Sequence, residues 1–352
     1  KRYLRQQLLN PLLSSEEIEH RYDNTERMRH HYLEYEEVLK YIPDIERLHR
    51  KMALKKIQPY EFVSLHIAYS QVIHLCKLLL KDNIDVSVDV QDVLDKIVLY
   101  MDEYTYYFNI NNMSKSYCSL NITNSFFNKG IYSSIDSLQD NIDVYNKFFD
   151  DIVSDFYKLN NNCIVKKDHN EKEGIHFTTT KSRHAIIIKE LEKVDDFILD
   201  ISKIKYKNLT SSIKIESPEI KNKSDMLYKN SAQLKDLQQN YYNDCCSLFY
   251  ENYKVLFQEI TSIIQYIDFI KSNAKCAVEY KYSRPIIDPN YNNSYCVFKS
   301  LRHPIIERIS NNEYITNDVT IGREDELGIL LFGVNAVGKS SLMKSIGIAI
   351  LM

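Results

Sequence analysis

The chain has 352 residues, with 45 Lys plus Arg against 48 Asp plus Glu, a formal charge of −3, seven cysteines and no Trp. That length is too great for one small core and points to two or three structural units, while the near-neutral charge says nothing by itself about partners. No C-x-x-C pair and no H-E-x-x-H occur, which argues against a His/Cys metal site and fits a reducing, intracellular compartment. No run reads as the ~18 to 20 apolar residues of a membrane helix, so no membrane partner is expected. Lys1-Arg2-Tyr3-Leu4-Arg5 has neither a start Met nor a signal-peptide core, and the sequence reads as cut from a longer protein.

Between Pro59 and Pro218 there is no proline, and only Gly130 and Gly174 interrupt that span, so most of the chain is free to be helical. Ser14-Ser15-Glu16-Glu17 places an acid three positions after Ser14, a capping box that opens a helix. Helical apolar stripes follow at Ile45, Leu48 and Met52, then at Phe62, Leu65, Tyr69, Val72 and Cys76. Asp89 to Phe108 and Ser134 to Leu159 also suit helices, with an Asn- and Ser-rich connection between them.

Beyond Asn160 the pattern changes. Ile164-Val165, Ile175 to Thr180 and Ser211 to Ile215 read as short strands because β-branched residues favour the pleated surface. A small mixed module therefore spans 158–215. Ser217-Pro218-Glu219 then reads as a cap, a first-turn proline and a favourable acid. Nothing stops that helix before Ala274, and Leu256, Ile260, Ile263, Ile267 and Ile270 repeat in steps of four and three, a seam for packing along another helix.

Five of the seven glycines lie in the last 31 residues. Among them Gly333-Val334-Asn335-Ala336-Val337-Gly338-Lys339-Ser340 matches the phosphate-binding loop G-x-x-x-x-G-K-[ST], continued by Ser341. Ile329 to Phe332 before it suits a buried parallel strand, and Ser340 to Met352 suits a helix. The glycines let backbone N–H groups converge on phosphates at a helix N-terminus. Lys339 would reach the outer phosphates of ATP and Ser340 would hold Mg²⁺.

A long helical arm, a small strand-containing insert and a phosphate-binding loop in this order resemble the MutS family of DNA mismatch-repair ATPases. Leu301-Arg302-His303-Pro304-Ile305-Ile306-Glu307 is similar to the family's R-H-P-hydrophobic-hydrophobic-Glu segment, and Tyr314-Ile315-Thr316-Asn317 to its aromatic-x-x-Asn step. Tyr282-Ser283-Arg284-Pro285 looks like the Y-x-R-P leading into them. The loop departs from the usual Asn-Met-Gly-Gly-Lys-Ser-Thr at Ala336-Val337 and Ser341, a variant that resembles the lineage of giant viruses and octocoral mitochondria.

The resemblance implies a mostly α fold: a helical lever over 1–157, a DNA-contacting clamp over 158–215, the lever's return helix over 216–283, and the start of a P-loop α/β ATPase over 284–352. It also implies that Tyr314 stacks on adenine and Asn335 lies against the phosphates. His303 is expected to order the turn before Pro304. The clamp carries twelve Lys plus Arg against eight Asp plus Glu, a net of +4. Lys166, Lys167, Lys181, Arg183, Lys205 and Lys207 are its candidate phosphate contacts. Double-stranded DNA, mismatched or branched, and an identical or related MutS-type subunit are the implied partners, with ATP and Mg²⁺ as ligands. The implied full-length activity is a DNA-dependent ATPase, and no catalytic residue is assigned within the chain, which is expected to hydrolyse little alone. A clamp on branched DNA without mismatch repair stays open. So does a coiled-coil chromosome-maintenance ATPase, although that class places its loop before the coil. Viral factory, cytoplasm, nucleus and mitochondrion also stay open as locations.

Overall fold

A computed structural model describes residues 2–352 apart from 116–123, 171–173, 195, 292, 310–312, 324–325 and 336. Among these residues the fold is mostly helical with two small sheets. In chain order the elements are α1 (Arg2–Leu9), α2 (Ser15–Met28), α3 (Tyr32–Lys40), α4 (Ile45–Ala53), α5 (Pro59–Asp82), α6 (Val90–Tyr107), α7 (Ile110–Lys115) and α8 (Ser133–Leu159). There follow β1 (Lys166–Asn170), β2 (Gly174–Thr179), α9 (Lys181–Leu191), β3 (Lys205–Asn208), β4 (Ile213–Glu216) and α10 (Pro218–Glu279). The last elements are β5 (Cys296–Leu301), α11 (Ile306–Ile309), β6 (Asn317–Ile321) and α12 (Lys339–Leu351).

The helix starts follow from local chemistry. The Ser14 hydroxyl accepts the Glu17 N–H at 3.5 Å, Asp44 accepts that of Arg47 at 3.1 Å, and Asp89 those of Gln91 and Asp92 at 2.9 and 3.2 Å. Each supplies an acceptor for a first-turn donor that has no partner inside its helix. At α10 the Ser217 hydroxyl accepts from the Glu219 N–H at 3.3 Å, with Pro218 as the first helical residue. That helix runs for 62 residues, about 93 Å at ~1.5 Å per residue.

Contacts divide the chain into two units. The first comprises 1–37, 78–87 and 263–352; the second, 38–77 and 88–262. In the second unit an aromatic core joins α5, α6 and the middle of α10. Phe62, Tyr69, Tyr100, Tyr104, Phe108, Tyr242 and Phe249 are fully buried there, and their rings meet edge to face at centroid distances such as 5.2 Å for Phe62–Tyr104 and 5.9 Å for Tyr100–Phe249. Edge-on contacts match each ring's positive rim to its neighbour's negative face. Next to them His49 lies stacked 4.1 Å from Phe257 and shares a 2.7 Å hydrogen bond with the Tyr69 hydroxyl. Burial lowers its pKa to about 3.

The expectation that no run could span a membrane needs correction at α5, whose 24 residues are long and apolar enough to do so by length and composition. The reason is the core just described: Phe62, Leu65, Tyr69, Val72, Leu75 and Cys76 of this helix are buried within the protein, so its apolarity is used in helix packing.

In the first unit Asn24 of α2 is fully buried. Its amide donates to Asp85 O at 2.7 Å and to the Tyr266 hydroxyl at 2.9 Å, and its carbonyl accepts the Asp85 N–H at 3.1 Å. This side chain joins α2 to the end of α10 through a satisfied polar knot. Ile263, Ile267, Ile270 and Ala274 bury the adjoining α10 face. The antiparallel pair β5–β6 follows, with an irregularity between Phe298 and Leu301. Just after β6, Gly322 has φ 79°, and a Cβ there would lie 2.2 Å from Ser294 O, so only glycine fits.

Candidate functional site

The insert folds as a four-stranded antiparallel sheet in the order β1-β2-β4-β3. The strands expected from sequence at 175–180 and 211–215 are present as β2 and β4, whereas 164–165 lies just before β1. Strand β1, Lys-Lys-Asp-His-Asn, and strand β3, Lys-Tyr-Lys-Asn, have no β-branched residue. They are strands because β2 and β4 offer them hydrogen-bonding edges, a tertiary cause that outweighs propensity.

Register sorts the charges onto faces. Lys167, Phe177, Ile215 and Tyr206 are paired across the sheet in one row. Phe177 and Ile215 are fully buried, and Phe177 meets Phe149 of α8 at 6.4 Å. Lys167 shares this inner face: its ammonium contacts Asp150 of α8 at 2.9 Å and lies 5.7 Å from the Phe149 ring centroid. One residue along, Lys166, Thr178, Lys214 and Lys207 form the neighbouring row. Strand alternation puts that row on the opposite, outer face, together with Lys205 and Glu216.

The outer face is net basic. Lys166, Lys205 and Lys207 are exposed and have no ion pair among the described residues. Lys214 is buried and bonds Glu216 at 2.8 Å. Sequence reading missed Lys214, although the alternation of Ile213 and Ile215 was the signal that could have placed it on the face opposite theirs. The structure thus puts Lys166 at one edge of this face and Lys205 and Lys207 at the other, with Lys167 on the opposite face.

Lys181 and Arg183 lie elsewhere, in the first turn of α9, where the Thr180 hydroxyl accepts the Arg183 N–H at 3.4 Å. No acid occupies that turn. Two cations at the positive end of a helix dipole repel it and favour an anion there. Deeper in α9, His184 meets Tyr206 edge-on at 4.4 Å, and burial lowers its pKa.

At the phosphate-loop motif, Gly333 and Gly338 both have positive φ, 150° and 97°, and Gly338 caps α12 in the left-handed conformation. A Cβ on Gly338 would meet nothing within 4 Å, so backbone conformation rather than space calls for glycine. The Lys339 ammonium folds back over the loop, donating to Gly333 O at 2.7 Å and Val334 O at 2.6 Å. Ser340 is exposed and Ser341 half-buried at the start of α12; Asn335 and Val337 are exposed, and Ala336 lies outside the described residues. Tyr314 is half-buried in the segment before β6.

These residues fit a nucleotide's phosphates and its Mg²⁺. Both loop glycines have the positive φ that curls the backbone, the Lys339 ammonium lies against the loop carbonyls, and Ser340 is the second residue of a 13-residue helix. The strand expected at 329–332 is not formed. Leu330 and Phe332 are 87% and 88% exposed, because no strand among the described residues pairs with this segment, and an isolated parallel strand leaves its backbone groups without partners. His303 lies at the entrance to α11, where its Nδ1 accepts the N–H groups of Ile305 and Ile306 at 3.2 and 3.3 Å, ordering the turn at Pro304.

The chain thus carries, in order, a helical scaffold, a sheet-containing insert with a basic face, and this loop. The family described as MutS domain III matches residues 1–274, and the chain belongs to the MutS family. It is 31% identical, over its whole length, to a DNA mismatch repair protein mutS homolog of Acanthamoeba polyphaga mimivirus, covering 36% of that protein. It is likewise 24% identical to a DNA mismatch repair protein MutS of Caldanaerobacter subterraneus and 27% to one of Thermodesulfovibrio yellowstonii, covering 38% and 40% of them. The chain therefore spans well under half the length of these relatives.

Proposed function

We propose that the chain is the lever, clamp and opening of the ATPase domain of an ATP-dependent MutS-type protein that closes on duplex DNA. On this reading 1–157 and 216–283 form the lever, 158–215 the clamp, and 284–352 the start of the ATPase domain. The observation that carries it is the outer face of the clamp sheet, where Lys166, Lys205 and Lys207 stand exposed in a MutS-family chain. Such cations track phosphates without reading sequence, and binding releases the counterions condensed on DNA. Lys181 and Arg183 add a second phosphate contact at the α9 N-terminus.

Residues 333–341 would cradle ATP, with Lys339 neutralising its outer phosphates and Ser340 holding Mg²⁺; Tyr314 would stack on the base. Because clamp and loop belong to one chain, and α10 passes through both units, DNA grip and nucleotide state would be mutually linked. An identical or related subunit would complete the assembly. The full-length protein is the test. Lys339→Ala should abolish ATP binding while leaving nucleotide-free DNA binding intact. Lys181→Glu with Arg183→Glu should weaken DNA binding and flatten its salt dependence. Unaltered DNA affinity and salt slope in the second variant would remove the clamp assignment; equal DNA dissociation with and without ATP in the wild type would remove the linkage. Preference for branched over mispaired duplex would identify a junction clamp in place of a mismatch reader.

A further inference from the structure

The segment that leaves α10 has little to hold it. From Ser283 to Asn290 it has no helix or strand, nearly every residue is exposed, and Ile286 is 92% exposed. Apolar packing therefore contributes little to its position. Among the described residues its long-range hydrogen bonds all come from one side chain. Arg284 Nη1 donates to Asp23 Oδ1 at 2.7 Å and to Glu26 Oε2 at 3.2 Å, Nη2 donates to Glu19, and the guanidinium lies 5.7 Å from the Tyr22 ring centroid.

Glu19, Asp23 and Glu26 are spaced four and three apart, so they share one face of α2. Three carboxylates on one face repel each other, and a planar guanidinium with its fork of donors can satisfy all three at once in a way that an ammonium cannot. The same helix is fixed to α10 on another face by Asn24 and Tyr266. Helix α2 is thus the common partner of the end of the long helix and of the strap leading to β5 and the phosphate loop.

We propose that Arg284 and the Glu19–Asp23–Glu26 face of α2 form an ionic latch that carries the linkage between nucleotide state and DNA grip. The proposal rests on the ATP–DNA linkage inferred above. Arg284 is a positioning residue: its guanidinium is held by the carboxylates of α2, and it sets whether movement of the strap moves α2. With the latch broken, the strap would shift without shifting the lever.

The test uses the full-length protein with Mg²⁺-ATP and a short duplex containing one mispair. The ratio of DNA dissociation rates with and without ATP is measured for wild type, Arg284→Gln, Arg284→Lys, and Glu19→Gln with Asp23→Asn. Couplings between sites in proteins run from about 5-fold to 150-fold. Arg284→Gln and the acid pair should each bring the ratio to within about twofold of unity, Lys should be intermediate, and combining both sets should add nothing further. Affinities for ATP and for DNA alone should be unchanged. A wild-type ratio in Arg284→Gln, or additive effects, would overturn the latch. Amide exchange in α2, whose N–H groups are held in helical hydrogen bonds, supplies an independent reading. It should quicken by about tenfold in Arg284→Gln, the effect of leaving Glu19, Asp23 and Glu26 without their charge-assisted bonds at a partly exposed site, and unchanged exchange would also overturn the latch. If wild type shows no ATP effect on DNA, the proposed linkage falls, and exchange still decides whether the latch holds the strap.

Discussion

Replacing Lys166 and Lys207 together by Gln tests the assignment of the outer clamp face. Both are exposed, and they sit in one row across the sheet with Thr178 and Lys214 between them. Each phosphate contact contributes about 0.9 to the slope of log affinity against log salt, so the pair should lower that slope by about 1.8. Between 50 and 200 mM salt the gap between wild type and variant should then shrink by about 12-fold, the fourfold salt ratio raised to that power. Lys167→Gln is the internal control, because its ammonium is held by Asp150 at 2.9 Å on the opposite face, and the slope should stay at the wild-type value. Fluorescence anisotropy with a labelled duplex and full-length protein, at five or more salt concentrations, measures both. An unchanged slope in the double variant, or an equal change from Lys167→Gln, would refute the argument from register.

Asn24→Ala should destabilise the chain by about 3 kcal/mol in urea denaturation, since three hydrogen bonds vanish and the Asp85 backbone and Tyr266 hydroxyl lose a buried partner; a loss below about 1 kcal/mol would contradict this. His49, held neutral with a pKa of about 3, gains a proton near pH 6.5 only when unfolded. Stability should therefore be complete above about pH 6.5 and fall by about 1.4 kcal/mol per pH unit from there toward pH 3. Denaturation of His49→Phe across that range should lack this component, and an identical pH slope in the variant would show that His49 is not its source.

The sequence alone legibly encoded the helices. Ser14, Asp89 and Ser217 stand where caps are needed, and the spacing of Ile260, Ile263 and Ile267 marks the buried face of α10, because helical hydrogen bonds and capping are local and depend on residues a few positions apart. The tight turn at the phosphate-loop motif was legible for the same reason: Gly333 and Gly338 take positive φ, and Lys339 reaches the carbonyls of Gly333 and Val334 a few positions away.

Tertiary structure decided what depended on distant partners. Lys-Lys-Asp-His-Asn became strand β1 through pairing with β2, and that register, which no local spacing contains, put Lys166 outside and Lys167 against α8. In the same way Ile329–Phe332 has the composition of a buried strand yet lies exposed, since a strand exists only where a neighbour accepts its hydrogen bonds. Arg284 carried no local sign of its cradle either, because its three carboxylates lie more than 250 positions away on α2. Sequence fixes what a segment can form through its own neighbours; which face it shows, and to whom, is settled by contacts that only the folded chain creates.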